Sequence, residues 1–258
     1  MGKEMKAKKL IVILIAVAFI LCVGFSCFYI FTINKVDVQY KAADKTDTAE
    51  LQAEFGKYVG KNLLFFNSDK VVEDFGNRPY FKVVAVNKKF PNVLSVLIEE
   101  RKEVYCLEYD GSLYVMDGTG FVLKKCAVSE KSALNMRKII ELSFSNINVL
   151  SIETGSVIRT DSDAQLQCVF EMADAVNLYD CVKAINIAND SLEDKGALFY
   201  TYAGGTINVW NVMKDGVLKI KTVMVKYDVA SDYVKSCCNI AVFTDSRGVI
   251  RVQGLDVE

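Results

Sequence analysis

Eight cysteines and no histidine set the chemical limits of this sequence. Without histidine the chain lacks the commonest general base, the usual zinc ligand and the middle member of a serine triad. Cys22 and Cys27 fall inside a long apolar run, and no two cysteines stand in C-x-x-C spacing, which argues against a zinc site. Cys106, Cys126, Cys168, Cys181, Cys237 and Cys238 remain. They either pair in an oxidising exterior or pack as small hydrophobes, and a chain long enough for two cores favours free thiols over a disulfide framework.

The other candidates for chemistry have structural explanations. Gly118-Thr119-Gly120 resembles part of a phosphate-binding loop, but it lies between two short strands with no helix after it, so a hairpin turn accounts for it. Glu99 and Glu100 are adjacent on a strand and point to opposite faces, so they cannot act as a pair on one bond. Lys88-Lys89 and Arg101-Lys102 flank two strands and read as a solvated rim rather than a functional patch. Asn189-Asp190-Ser191 is formally a glycosylation sequon of the kind that arises by chance. The 31 basic and 32 acidic residues give no electrostatic reason to expect a nucleic-acid partner. No catalytic, cofactor-binding or metal-ligating residue emerges.

The elements around these residues begin with an uncharged run over residues 10–33, and about 20 helical residues suffice to cross a bilayer. A cleaved signal would have a shorter apolar core of about 7 to 15 residues and a small-x-small site, which Gly24-Phe25-Ser26 supplies poorly. Modification of Cys27 by lipid lacks the small residues it needs. An uncleaved anchor fits best. Lys3, Lys6, Lys8 and Lys9, opposed only by Glu4, put the tail at 1–9 in the cytoplasm and the rest of the chain outside.

Beyond the anchor, Val36 and Val38 begin a strand, and Asp47 with Glu50 resembles a capping box. Leu51, Phe55, Tyr58 and Val59 share a helical face; Ser68 opens a second helix that Gly76 and Pro79 stop. Strands at 81–87 and 93–100 follow, joined by Phe90-Pro91-Asn92, with Leu94, Val96 and Ile98 on one face. The predicted order over 34–103 is strand, helix, helix, strand, strand: a small sheet with two helices on one face.

Over 104–258 the pattern becomes short strands with Asp-Gly turns at Asp110-Gly111 and Asp117-Gly118. Helices are predicted at 162–178 and around Leu218, Ile220, Val223, Met224 and Tyr227. Strands are predicted at 182–187, 197–202 and 206–212, and a closing hairpin at 240–244 and 249–252. The fold class is α+β: one N-terminal transmembrane helix, a βααββ domain, then a β-rich domain of antiparallel strands with packed helices.

Two segments carry a family resemblance: Gly60-Lys61-Asn62-Leu63-Leu64-Phe65, and the run VAVNKKFPNVLSVLIEERKEV over 84–104. The first is similar to a G-x-N-L-F turn and the second to a hydrophobic-basic-F-P-N-x-L-x-hydrophobic-x-E-R run of the bacterial cell-division proteins FtsQ and DivIB. In those proteins a membrane-proximal POTRA domain carries both. Within this pattern Leu64 and Phe65 are expected to plug the space between helices and sheet. The resemblance continues through Asp110-Gly111 and YVMDGTGFVL, then rests on element order over 131–190.

The resemblance implies a non-catalytic divisome scaffold in the cell membrane at the septum. It implies binding to FtsB/DivIC-type and FtsL-type single-pass proteins, an indirect link to septal peptidoglycan synthases, and no cofactor. Partners of the family add to the C-terminal end of the β domain. By position this marks Ile240, Val242, Thr244, Val249, Ile250 and Val252 as the docking hairpin. The alternatives are a POTRA-containing chaperone or transport module, against which the lack of barrel strands counts, and a cell-wall hydrolase or transferase, for which no nucleophile or acid pair is found.

Overall fold

The computed structural model describes residues 2–41, 48–189 and 195–254. Asp47 of the capping box and Asp190 and Ser191 of the sequon lie outside the described residues. The chain divides into two compact units, Met1–Glu100 and Arg101–Glu258.

The first unit opens with helix α1, Gly2–Ile30. Its stretch Ile13–Ile30 has a mean hydropathy of 2.7 and no buried residue, which by length and composition is enough to cross a membrane. The chain leaves the helix directly into a folded domain: Ile33 is fully buried in that domain's core. Strand β1, Lys35–Lys41, helix α2, Thr48–Phe55, helix α3, Asp69–Phe75, and strands β2, Phe81–Lys89, and β3, Val93–Glu100, complete it. The sheet order is β1-β3-β2, with β1 parallel to β3 and β2 antiparallel to it.

The alternation in β3 buries Leu94, Val96 and Ile98 against Phe55, Tyr58, Val71 and Phe75. Phe55 stacks on Phe75 with centroids 4.1 Å apart. The Tyr58 hydroxyl donates to Asp74 Oδ2 at 2.6 Å, and that bond, with Lys57, holds the Asp74 carboxyl below the usual range. Three expectations need correction. Val59 is exposed, because Gly56–Tyr58 is a 3₁₀ turn whose tighter winding carries the next residue off the helical face. Asn67 rather than Ser68 bonds the start of α3, its Oδ1 accepting from Asp69 N at 3.0 Å. Leu64 and Phe65 do not plug the core: they are 41% and 85% exposed, while Leu63 and Phe66 are buried.

The second unit is built on a nine-stranded sheet ordered β14-β13-β12-β11-β10-β7-β4-β5-β6. Its strands are β4 Tyr105–Tyr109, β5 Ser112–Met116, β6 Val122–Cys126, β7 Ile140–Ser145, β10 Val182–Asn189, β11 Lys195–Thr201, β12 Thr206–Val209, β13 Asn239–Thr244 and β14 Ile250–Gln253. Strands β8, Val149–Ser151, and β9, Arg159–Thr160, pair separately. Helices α5, Asp163–Ala175, and α6, Gly216–Val229, bury Leu166, Val169, Phe170, Ile220 and Val223 in the main core with Ile185, Phe199, Ile207 and Ile240. Helix α4, Lys131–Met136, covers the other face locally, with Leu134 against Cys106, Leu113 and Val115. Leu218, expected on the buried face of α6, is exposed.

The pairing is mixed rather than wholly antiparallel. Strands β4 and β7, β7 and β10, and β12 and β13 run parallel. Parallel neighbours need a crossover, and the connections between these pairs contain α4, α5, and α6 followed by α7, Asp232–Cys237.

The six cysteines of the two units beyond α1 are free, from buried Cys106 and Cys238 to exposed Cys237. Burial pushes the Cys106 thiol up to about 12 and that of Cys181 up to about 11. Because the thiolate is the nucleophile, brief alkylation of the folded chain at about pH 8 is expected to label Cys237 well ahead of Cys106 and Cys181. Peptide mass spectrometry reads the order, and equal labelling of Cys106 would contradict its burial.

Candidate functional site

A wide sheet has two edges, and an unpaired edge strand is a template for another chain. In this sheet the edges are β6 and β14. The β6 edge is partly occupied. Val122 N donates to Ser156 O at 2.8 Å, Gly155 N donates to Val122 O at 2.9 Å, and Phe121 bridges to Val157. Lys124 and Lys125 follow on the same strand, charges of the kind that discourage edge pairing. Strand β14 pairs only with β13, antiparallel, and its outer edge meets no strand among the described residues.

The closing hairpin is fixed by its turn. Gly248, at φ +80°, supplies the left-handed residue, and Gly248 N donates to Asp245 O at 2.9 Å. The Asp245 carboxylate accepts from Arg247 N and Val249 N, both at 2.9 Å, and from Arg251 Nε at 3.0 Å. These bonds, that of Val249 foremost, hold it below the usual carboxylate range. Asp245 N donates to Val249 O at 2.9 Å, so the alternation of antiparallel bonding makes Phe243 and Arg251 the next bonded pair. Ile250 and Val252 therefore turn their backbone N–H and C=O groups to the free edge.

The six residues marked by position do not form one surface. Ile240 and Val242 are fully buried in the main core, and Thr244, Ile250 and Val252 sit on the same face of the hairpin, with Ile250 opposite Thr244 and Val252 opposite Val242. Val249 is exposed in the turn. Strand β13 is interior, flanked by β12 and β14, and Val242 O already accepts from Trp210 N at 2.9 Å. What the hairpin offers a partner is the backbone of Ile250 and Val252 and the side chains of the alternate positions. Phe243 and Arg251 are among those, with exposed Trp210 beside Phe243 at 6.2 Å between centroids. The signal for these lay in the sequence: they are the odd members of an alternating strand whose even members are core.

Beside Trp210 a cleft of about 320 Å³ opens on the same sheet, lined by Asn186, Ala188, Gly196, Ala197, Leu198, Asn208 and Trp210. Nothing in that lining titrates or attacks. Among the described residues no group of acids and cysteines is gathered as a metal site.

The rim expectation also changes. Arg101 is not solvated: its Nη1 donates to Asp117 Oδ2 at 2.5 Å, and its guanidinium packs 3.7 Å from the Phe121 ring centroid. Lys89 pairs with Asp37 at 3.0 Å, and Lys88 Nζ donates to Leu64 O at 3.3 Å. The Gly118-Thr119-Gly120 loop is a turn organised by Asp117, as a structural role requires.

Comparison with known proteins adds to this geometry. Residues 31–101 match the model of the POTRA domain, FtsQ-type. The "Cell division protein DivIB" of Clostridium botulinum (strain Hall, type A) is 26% identical over 165 residues, covering 62% of this chain and 59% of that protein. The protein of the same name from Clostridium acetobutylicum is 24% identical over 94 residues, 36% of this chain and 37% of its own. That of Clostridium tetani is 31% identical over 64 residues, 25% of this chain and 24% of its own. The chain thus spans well under two thirds of the length of these relatives. With an FtsQ-type POTRA domain directly after an apolar helix, the chain is similar to the DivIB cell-division proteins.

Proposed function

We propose that this protein is a non-catalytic scaffold of bacterial cell division. In this reading the apolar part of α1 spans the membrane with residues 1–9 in the cytoplasm, residues 34–103 form the POTRA domain outside, and residues 104–258 form the partner-binding domain. The partners are single-pass division proteins of the FtsB/DivIC and FtsL types, through which it acts on septal peptidoglycan synthesis. The likeness to DivIB proteins supports the process, and the observation that carries the mechanism is the outer edge of β14, unpaired among the described residues, to which an extended partner segment can add as a tenth strand.

Proline at Val252 removes an outward N–H while leaving the β13 side of the hairpin bonded, a substitution edge strands tolerate. Val252→Pro is expected to weaken capture of a DivIC-type partner by about tenfold or more, roughly the 1.4 kcal/mol of a lost main-chain bond. Proline at Lys125 on the other edge should leave capture intact. Val242 is unsuitable for this test, since it is an interior core position. Unchanged capture by a folded Val252→Pro chain would sink the edge mechanism. The cellular role is tested separately: a fluorescent fusion should concentrate at midcell and depletion should give filaments. A uniform envelope signal with normal septa would instead favour a transport-associated POTRA module.

A further inference from the structure

We propose that the loop after the first POTRA helix, with Leu64, Phe65, Lys61 and Lys70, is a seat for anionic phospholipid that fixes the POTRA domain against the outer leaflet. This rests on α1 spanning the membrane.

The loop is bonded to the end of α1. Asn62 Nδ2 donates to Phe28 O at 3.1 Å, Leu63 N donates to Phe31 O at 2.6 Å, and Asn62 forms a bridge with Thr32. Ile33 N donates to Lys61 O and Gly60 N to Ile33 O, each at 2.8 Å. No linker separates helix from domain, so the loop's height is set by the helix. The apolar stretch ends at Ile30, and at about 1.5 Å of rise per residue Phe28 lies within one turn of that end. Phe28 and Phe65 line one cleft of about 340 Å³, which places Phe65 at the level where acyl chains meet headgroups.

The side chains there suit that boundary. Phe65 is 85% exposed, Leu64 and Phe90 are exposed, and Phe90 lies edge-on to Phe31 at 5.9 Å. Folding does not require this, since Leu63 and Phe66 already fill the core. Lys61 and Lys70 line the same cleft with Asn62, Phe66 and Asn67, and no carboxylate lines it. Exposed aromatics at the helix exit flanked by lysines are the composition of a membrane interface. Rings enter the boundary, alkyl stems follow, and ammonium groups meet lipid phosphates.

The test uses the full chain in vesicles of phosphatidylglycerol and phosphatidylcholine. Trp210, the single tryptophan, is replaced by phenylalanine, and Phe65→Trp or, as a control within α1, Phe25→Trp is introduced. With lipids brominated high on the acyl chain, the Phe65→Trp chain is expected to emit to the blue and lose most of its emission. Adding Lys61→Gln and Lys70→Gln should abolish its preference for phosphatidylglycerol, to which each lysine contributes about fivefold. A quenched Phe25→Trp chain beside an unquenched, water-like Phe65→Trp chain overturns the seat and leaves the spanning helix standing. Loss of quenching in both overturns the spanning helix and the seat with it. Equal quenching in purely phosphatidylcholine vesicles, unaffected by the lysine changes, overturns recognition of anionic lipid.

Discussion

Asp117→Ala is expected to lower the stability of the second unit by about 3 to 5 kcal/mol, the usual cost of stripping one partner from a buried ion pair. Asp117 is 6% exposed, and its carboxylate has four donors. Oδ1 accepts from Thr119 N at 2.8 Å, Thr119 Oγ1 at 2.7 Å and Phe121 N at 3.0 Å, and Oδ2 accepts from Arg101. Alanine removes the turn's organiser and strands a guanidinium whose side chain is only 12% exposed and whose Nε already lacks a partner. Gly120, at φ +79° and pressed against Phe170, depends on the same turn, so the loss propagates into the α5 contact. Trp210 lies in this unit and is the only tryptophan, so its fluorescence during urea unfolding reads the effect. Asp117→Asn keeps an acceptor but not the charge and should fall between. A loss below about 1 kcal/mol for the alanine variant would place this pair with ordinary surface bridges.

Arg101 shows why such a pair is hard to read from sequence. It stands in the run Glu99-Glu100-Arg101-Lys102, where local composition says solvent, and its burial comes from Asp117 and Phe121 across the turn that follows two strands. Periodicity, by contrast, is local. It yielded the core face of β3, the helix carrying Leu166, Val169, Phe170 and Ala173, and the Asp110-Gly111 hairpin, whose residues have φ of 48° and 66°. Helices α4 and α7 have six residues each, too few for a 3.6 period to show. Without α4 in view, the crossover that makes β4 and β7 parallel is invisible, and consecutive strands look like hairpins; between β12 and β13 only α6 shows in the periodicity.

The candidate site shows the same division. Alternation in β13 and β14 was legible, but alternation alone does not say which parity faces the core. Helix α6 settles it by packing on Ile240 and Val242, which leaves Phe243 and Arg251 to the open face. Strand order then decides the rest: an interior β13 cannot receive a partner, and an edge β14 can.

The loop at the exit of α1 carries the sharper test of parity. Leu63→Ala is expected to destabilise the first unit by about 2 to 5 kcal/mol, the range for a leucine removed from a close-packed core. Leu63 is fully buried among Ile33, Tyr58 and Phe66, and its N–H is bonded to Phe31 O. Leu64→Ala and Phe65→Ala should each cost within about 0.5 kcal/mol, as surface substitutions do. The difference arises from Asn62, whose Oδ1 accepts from Leu64 N at 3.0 Å while its Nδ2 holds Phe28 O. That pair of bonds curls the chain so that Leu63 points in and the next two side chains point out. Calorimetry on the reconstituted chain should show the POTRA transition falling for Leu63→Ala but not for Leu64→Ala or Phe65→Ala. Asn62→Ala should lower it by a smaller amount and without opening a cavity, since it loosens the curl but removes no core atoms. If Leu64→Ala proved as costly as Leu63→Ala, the loop would be folded inward and both its packing and its lipid seat would be wrong together.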